Sequence, residues 1–189
     1  MPAALAIAIE DEDYCREEVI DGEYMMAPAP GEGHNSVMTN ILVMFSNYLK
    51  GKPCRAYGDN IDVFLDENNR FQPDVSIVCD RSKIKANGIH GAPDLVVEIL
   101  SLSTAKNDRG KKFKAYERFG VKEYWIVDTV TRRVEVYHNS PEGFVLDNVY
   151  AVKDPVLDFD VEKPPTEIKV SLYEDLIVDV KDIFYDMMW

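Results

Sequence analysis

The stretch Asp94-Leu95-Val96-Val97-Glu98-Ile99-Leu100 decides how the rest of this chain is read. Its apolar residues are β-branched or leucine and run on without the alternation of a half-exposed strand, the pattern of a strand covered on both faces. Glu98 interrupts that run with a carboxylate. An ionised carboxyl taken out of water is costly unless a cation or a set of donors compensates it. A second run, Phe71-Gln72-Pro73-Asp74-Val75-Ser76-Ile77-Val78, carries Asp74 in the same way. Two such acids on two core strands call for a shared compensator, and a divalent metal is the simplest.

Downstream of the first run, the spacing predicts a helix from about Thr104 or Asp108 to Phe119, with Gly120 just past its end, and then a strand over Glu123 to Asp128. Strand, helix, strand fits a parallel pair with a crossover. Hairpin-like strands surround it: Ile61 to Leu65 and Arg70 to Val78 across the turn Asp66-Glu67-Asn68-Asn69, and Arg133 to Tyr137 and Phe144 to Tyr150 across a Pro/Gly turn. Pro73 lacks an N–H and marks an edge, a bulge or an irregular point. The expected fold is an α/β sandwich on a mixed sheet.

Upstream, an acidic segment from about Asp11 to Ile20 reads as helical, and Asp21-Gly22 turns into a strand over Tyr24 to Met26. The Pro28 to Pro30 loop follows. From Asn35 or Ser36, either a credible N-cap, Val37, Ile41, Met44, Phe45, Tyr48 and Leu49 recur at helical spacing as far as Lys50, with Gly51 as the stop. The tail from 151 to 189 alternates short apolar pieces with acids, and Asp175 to Phe184 fits strand or helix.

A chain of 189 residues with 46% hydrophobic content is expected to form one domain, with a core over about 12–150 and an acidic extension over 151–189. Cys15, Cys54 and Cys79 match no CxxC pattern and are odd in number, so no disulfide framework is expected and the location reads as reducing and cytoplasmic. No uncharged apolar run approaches the roughly 18 residues of a membrane helix. The apolar start, Met1 to Ile9, has no Lys or Arg before it and acids after it, unlike a secretory signal. The net charge of −13 argues against a generic nucleic-acid coat. Residues 81 to 122 nevertheless hold ten basic side chains against four acids. That stretch fits a face that meets a polyanion, and it fits a solvated, lysine-rich helix face equally well.

Side chains alternate along a strand, so Asp94, Val96, Glu98 and Leu100 share one face, and Asp74 shares its own with Ser76. On neighbouring strands, the carboxylates of Asp74 and Glu98 would converge at one end of the sheet. Such hard oxygen ligands suit Mg²⁺ or Mn²⁺ rather than zinc. Only His34, His90 and His138 occur, with no HExxH spacing. Taken singly, Glu98 is as well explained by pairing with an arginine or lysine, and Asp74 by a Pro-Asp turn. Together, followed by a lysine-bearing helix, they suggest a nuclease.

Pro73-Asp74, the run Asp94 to Thr104, Asp108-Arg109-Gly110-Lys111-Lys112-Phe113-Lys114-Ala115-Tyr116, and Gly120-Val121-Lys122-Glu123-Tyr124-Trp125-Ile126-Val127-Asp128 together resemble the Uma family of bacterial restriction endonucleases. Asp21-Gly22-Glu23, the Pro28 to Pro30 loop and His34 look like that family's N-terminal signature. The resemblance spans about residues 12 to 150 and is most specific from Pro93 to Asp128. It implies the restriction-endonuclease-like fold of the PD-(D/E)xK superfamily, a mixed sheet flanked by helices, and Mg²⁺-dependent phosphodiester hydrolysis with DNA as substrate. It also implies Asp74 and Glu98 as metal ligands, with the carbonyl of Ile99 as a third. The chain departs from the superfamily pattern at Leu100, where a lysine is usual. Lys112 on the following helix is the family's match for it. Leu102 also stands where the family commonly has proline.

Around these three catalytic candidates, Glu23, His34, Arg109 and Tyr116 are expected in a supporting shell or at phosphate. Each has a plainer explanation, as a turn acid, a loop-ordering group, a helix start and a core aromatic. Nucleases of this fold often cut as dimers, so a homodimer is expected by analogy. A different class of function also fits: a nuclease fold without cleavage, binding nucleic acid or protein, as the altered motif and the negative charge suggest. A metal-dependent phosphoesterase acting on small substrates is the third reading.

Overall fold

Pro73 is where the chain changes sheets. The computed structural model describes residues 16–27, 29–101, 105–152 and 164–187. A hairpin of β1 (Arg16–Ile20) and β2 (Glu23–Ala27) leads to α1 (Glu32–Tyr48). Then come β3 (Arg55–Gly58), β4 (Val63–Asp66), β5 (Asn69–Phe71) and β6 (Val75–Val78), followed by the short β7 (Ile84–Lys85) and β8 (Gly88–His90). The central unit is β9 (Leu95–Ile99), α2 (Ala105–Asp108), α3 (Lys111–Phe119) and β10 (Glu123–Asp128). The chain closes with β11 (Arg133–Ser140), β12 (Gly143–Ala151), β13 (Glu167–Lys169), β14 (Ile177–Asp179) and α4 (Val180–Ile183).

Two six-stranded mixed sheets result, ordered β2-β1-β5-β4-β8-β7 and β12-β11-β10-β9-β6-β3, beside a β13-β14 pair. The expected parallel pair is β9 with β10, joined across α2 and α3. All five residues of β9 are buried. Leu95, Val97 and Ile99 face Val37, Ile41 and Phe45 of α1, whose spacing of four lays one stripe on the sheet. Val96 faces the opposite layer, where Ala115 and Tyr116 of α3 lie. Every fully buried side chain of this size contributes about 1.5–3 kcal/mol. A strand apolar on both faces is therefore strongly fixed in register.

Several sequence expectations shift by physical causes. The stretch from Arg16 to Ile20 is a strand, not the end of a helix, because β2 pairs with it and Glu18 and Ile20 alternate inward; residues 11–15 lie outside the described residues. Helix α1 starts at Glu32, with Gly31 as an N-cap that offers no side chain. Ser36, expected as a cap, instead sits within the first turns and donates to Glu32 Oε1 at 2.7 Å. The expected single strand from Arg70 to Val78 splits at Pro73 into β5 and β6, one in each large sheet. The expected helix to Phe119 breaks between α2 and α3 at Gly110, where a Cβ would lie 2.7 Å from the carbonyl oxygen of Lys106. Gly120 ends α3 in the left-handed region, as its spacing predicts.

The tail, unreadable as sequence, is part of the core. Ile168, Val170, Leu176, Val178, Val180 and Ile183 are buried against α1 and the second large sheet. Its anchor is Glu123, fully buried, whose carboxylate accepts from Trp125 Nε1 at 2.6 Å, from Ser171 N at 2.7 Å and from the Ser171 hydroxyl.

The cysteines contradict the sequence reading. Cys54 and Cys79 form a disulfide between the start of β3 and the end of β6. Antiparallel pairing of Arg55 with Val78 brings the two together, a proximity that cysteine spacing alone does not reveal. The inference of a reducing compartment from these cysteines loses its basis. No described helix is long and apolar enough to cross a membrane. Twenty-five residues separate the two cysteines. By loop entropy, replacing both with alanine should cost about 3 kcal/mol, read as a lower denaturant midpoint; an unchanged midpoint in oxidising buffer would show that the bond contributes nothing.

Candidate active site

Antiparallel pairing of Val75 with Val97 places Asp74 opposite Glu98, with both side chains on the sheet face that carries α3. Strand alternation alone yields this once β6 and β9 are neighbours. Asp74 is 3% exposed and Glu98 3%. Asp74 Oδ2 accepts from the Ile99 N–H at 2.7 Å. In a strand one residue's N–H and C=O leave on the same edge, so the Ile99 carbonyl also leans toward Asp74. His34, in the first turn of α1, puts Nε2 3.1 Å from Asp74 Oδ2, and its buried Nδ1 has no hydrogen-bond partner among the described residues.

Lys112 enters from α3. Its Nζ lies 3.0 Å from Glu98 Oε1, 2.8 Å from Glu18 Oε1 and 3.6 Å from Asp108 Oδ1. Tyr116, one turn later, donates to the same Glu98 Oε1 at 2.8 Å. Glu98 Oε2 accepts no hydrogen bond among the described residues. Glu18 also accepts from the Gln72 N–H at 2.8 Å, so the crossing between sheets at 72–74 draws β1 to the cluster.

One ammonium thus serves three carboxylates, with Asp74 a fourth acid nearby. Burial pushes the Glu98 carboxyl well above its ordinary range, and Asp108, Asp74 and Glu18 push the same way against the pull of Lys112. The Lys112 ammonium is opposed by burial, yet Glu98, Glu18 and Asp108 together hold it well above the usual lysine range. Tyr116 is raised chiefly by burial and then by the charge of Glu98, so it stays a donor. The cluster is short of positive charge.

A hard divalent cation fits that shortage. No three His, Cys, Asp or Glu side chains among the described residues are spaced to hold an ion unaided. A site here would combine Asp74, the open Oε2 of Glu98, the Ile99 carbonyl and water, the sparse oxygen set typical of Mg²⁺.

The structure brings together Asp74, Glu98, Ile99, Lys112, His34 and Tyr116. It leaves two expected residues outside. Glu23 is an exposed partner of Lys111, and Arg109 is held bidentately by Glu135 with both distances 2.7 Å. Leu102, Ser103 and Thr104 lie outside the described residues. Sequence reasoning missed Glu18, hidden by the helical reading of β1, and gave Asp108 only a capping role. The signal for Glu18 was available: the hairpin turn at Asp21-Gly22, with Ile20 and Glu18 alternating inward behind it. Half of the basic stretch is also ion-paired, since Arg118 pairs with Asp21 and Lys122 with Asp94, besides the pairs of Arg109, Lys111 and Lys112.

Comparison with known proteins accords with this architecture. A crystal structure described as "a putative nuclease belonging to DUF820" from Anabaena variabilis superposes with a TM-score of 0.69 at 21% identity, covering 89% of each chain. Uncharacterized protein slr1290 of Synechocystis sp. is 28% identical over 130 residues, 68% of each chain. Uncharacterized protein sll1609 of the same organism is 25% identical over 141 residues, 72% of this chain and 80% of its own. The model of the Uma2 family, described as "Putative restriction endonuclease", matches residues 4–162. With most of its length so matched, the chain belongs to the Uma2 family.

Proposed function

We propose that this protein is a Mg²⁺- or Mn²⁺-dependent DNA endonuclease whose site is built on Asp74, Glu98 and Lys112. The observation that supports it is the convergence of two buried acids and one helix-borne ammonium where β6 begins and β9 ends. Asp74, Glu98 and the Ile99 carbonyl would hold the ion. Once bound, it would polarise a phosphodiester and lower the pKa of a coordinated water.

The protein's own groups divide the remaining work. The Ile99 N–H and His34 fix the rotamer of Asp74, while Tyr116 and Lys112 fix Glu98 through one oxygen, so that the other would be available to hold an ion. Lys112 stays protonated, so its role is to offset negative charge on phosphate rather than to abstract a proton. Placing this lysine on α3 explains how Leu100 can stand where the superfamily has its lysine. The ammonium reaches the same acid from the helix.

A second reading has its own observation. Lys112 is only 4% exposed and engaged with three carboxylates, which also describes a structural ion network inside a binding module. Supercoiled plasmid with Mg²⁺ or Mn²⁺ separates the two. Metal-dependent nicking that stops with chelator is expected; intact plasmid, together with no metal uptake by the protein, selects the binding module.

A further inference from the structure

A basic cavity lies far from these acids. It measures about 350 Å³, and its lining includes Lys50, Lys52, Arg55 and Arg81, four cations, and no carboxylate. That volume is at the lower end of small-ligand pockets, roughly 300–1,000 Å³. In a chain of net charge −13, where most basic residues near the acidic cluster are ion-paired, this convergence is unusual.

The helix dipole accounts for part of it. Lys50 and Lys52 follow the C-terminus of α1, whose last carbonyls favour cations. The Lys52 ammonium is further occupied, 3.4 Å from the centre of the Tyr48 ring. Arg55 and Arg81 have no such explanation, since they arrive from β3 and from the turn before β7. Neither Lys50, Arg55 nor Arg81 pairs with a carboxylate among the described residues. Arg81 is moreover fixed in place: Nε donates to the Pro53 carbonyl at 3.0 Å and one Nη to the Lys52 carbonyl at 3.3 Å, leaving the other Nη free to bind. Cys54 forms part of the floor, and its disulfide to Cys79 holds the start of β3, and so Arg55, against β6.

We infer that this cavity binds a small phosphate-bearing ligand of about nucleoside-monophosphate size. Leu49, Cys54 and Ala56 give it an apolar floor, and Lys50, Arg55 and Arg81 supply the charge-assisted donors that phosphate prefers. It is separate from the acidic cluster in position. Helix α1 touches Asp74 through His34 at one end, and Lys50, which lines the cavity, follows its other end, an axial separation of roughly 25 Å. The cavity lies at β3, the edge strand of its sheet, whereas Asp74 stands opposite Glu98 of the central β9. Its volume suits a small free ligand. The inference therefore stands or falls independently of the hydrolytic proposal.

The test is calorimetric titration of inorganic phosphate and adenosine 5′-monophosphate into the full chain in metal-free buffer. Saturable one-to-one binding of the monophosphate is expected, unchanged in Asp74→Asn. The double substitution Arg55→Ser, Arg81→Ser should weaken it by about tenfold or more per cation. Because Arg81 also braces a loop, Lys50→Ser with Arg55→Ser is the companion variant; both of its side chains are exposed and without hydrogen bonds among the described residues, and the same direction is expected. No saturable binding of either probe, or an affinity equal to the parent's in both double variants, overturns the inference. So does a result in which the variants lose only binding of short duplex DNA.

Discussion

Replacing Lys112 with methionine is expected to lower the unfolding free energy by about 3–5 kcal/mol, the cost of removing one partner from a buried ion network. Methionine keeps the length and apolar stem of lysine, so the change isolates the charge. What it leaves behind is Glu18, Glu98 and Asp108 within a site under 7% exposed, with no ammonium among them. Protonation relieves part of that repulsion. The folded variant therefore binds more protons than the unfolded chain, and by linkage its deficit grows as the pH rises above the ordinary carboxylate range and shrinks as it falls. Mg²⁺ or Mn²⁺ should recover part of the loss, because an ion bound only by the folded state stabilises it by mass action. Urea denaturation at two pH values, with and without metal, reads all three effects. A variant as stable as the parent at neutral pH would mean that the acids are already neutral and the charge argument fails.

The legibility of this site depended on register. Glu98 and Asp74 stood out because each interrupts an apolar run, a conflict between composition and burial that a single sequence displays. Their convergence needed one additional fact, that β6 and β9 are adjacent and antiparallel, which strand patterns do not specify. Lys112 was found through family resemblance; spacing alone shows only a lysine on a helix. Glu18 escaped because acidic residues before Ile20 suit a helix by propensity, and only the pairing of β1 with β2 overrides that. Pro73 was read correctly as an irregular point, but its consequence, a change of sheet that brings Glu18 to Asp74, is long-range. The tail was opaque for the same reason: its short apolar pieces acquire meaning only against α1, and its anchor Glu123 is 48 residues from Ser171.

The other large effect concerns chemistry. In Asp74→Asn an amide oxygen can still accept from the Ile99 N–H, so the fold should survive with little change in melting temperature. The negative charge is lost. Altering groups that merely support a metal ligand typically costs 10–100-fold in affinity or activity, and a direct ligand should cost at least about a hundredfold in nicking rate. Glu98→Gln is expected to be as severe, with a different pH signature in the parent. The Glu98 carboxyl is held well above its ordinary range by burial and by its acidic neighbours. A proton therefore competes with the ion at that oxygen, and Mn²⁺ affinity in the parent should rise with pH. Removing the titrating group flattens this slope in Glu98→Gln. Asp74→Asn should keep part of it, since Glu98 remains. Metal titrations of the three proteins across pH, followed by Mn²⁺ electron spin resonance, test ligation without relying on turnover. If both variants bind Mn²⁺ like the parent and nick plasmid at its rate, these two acids are not the metal centre. The network around Lys112 is then purely structural.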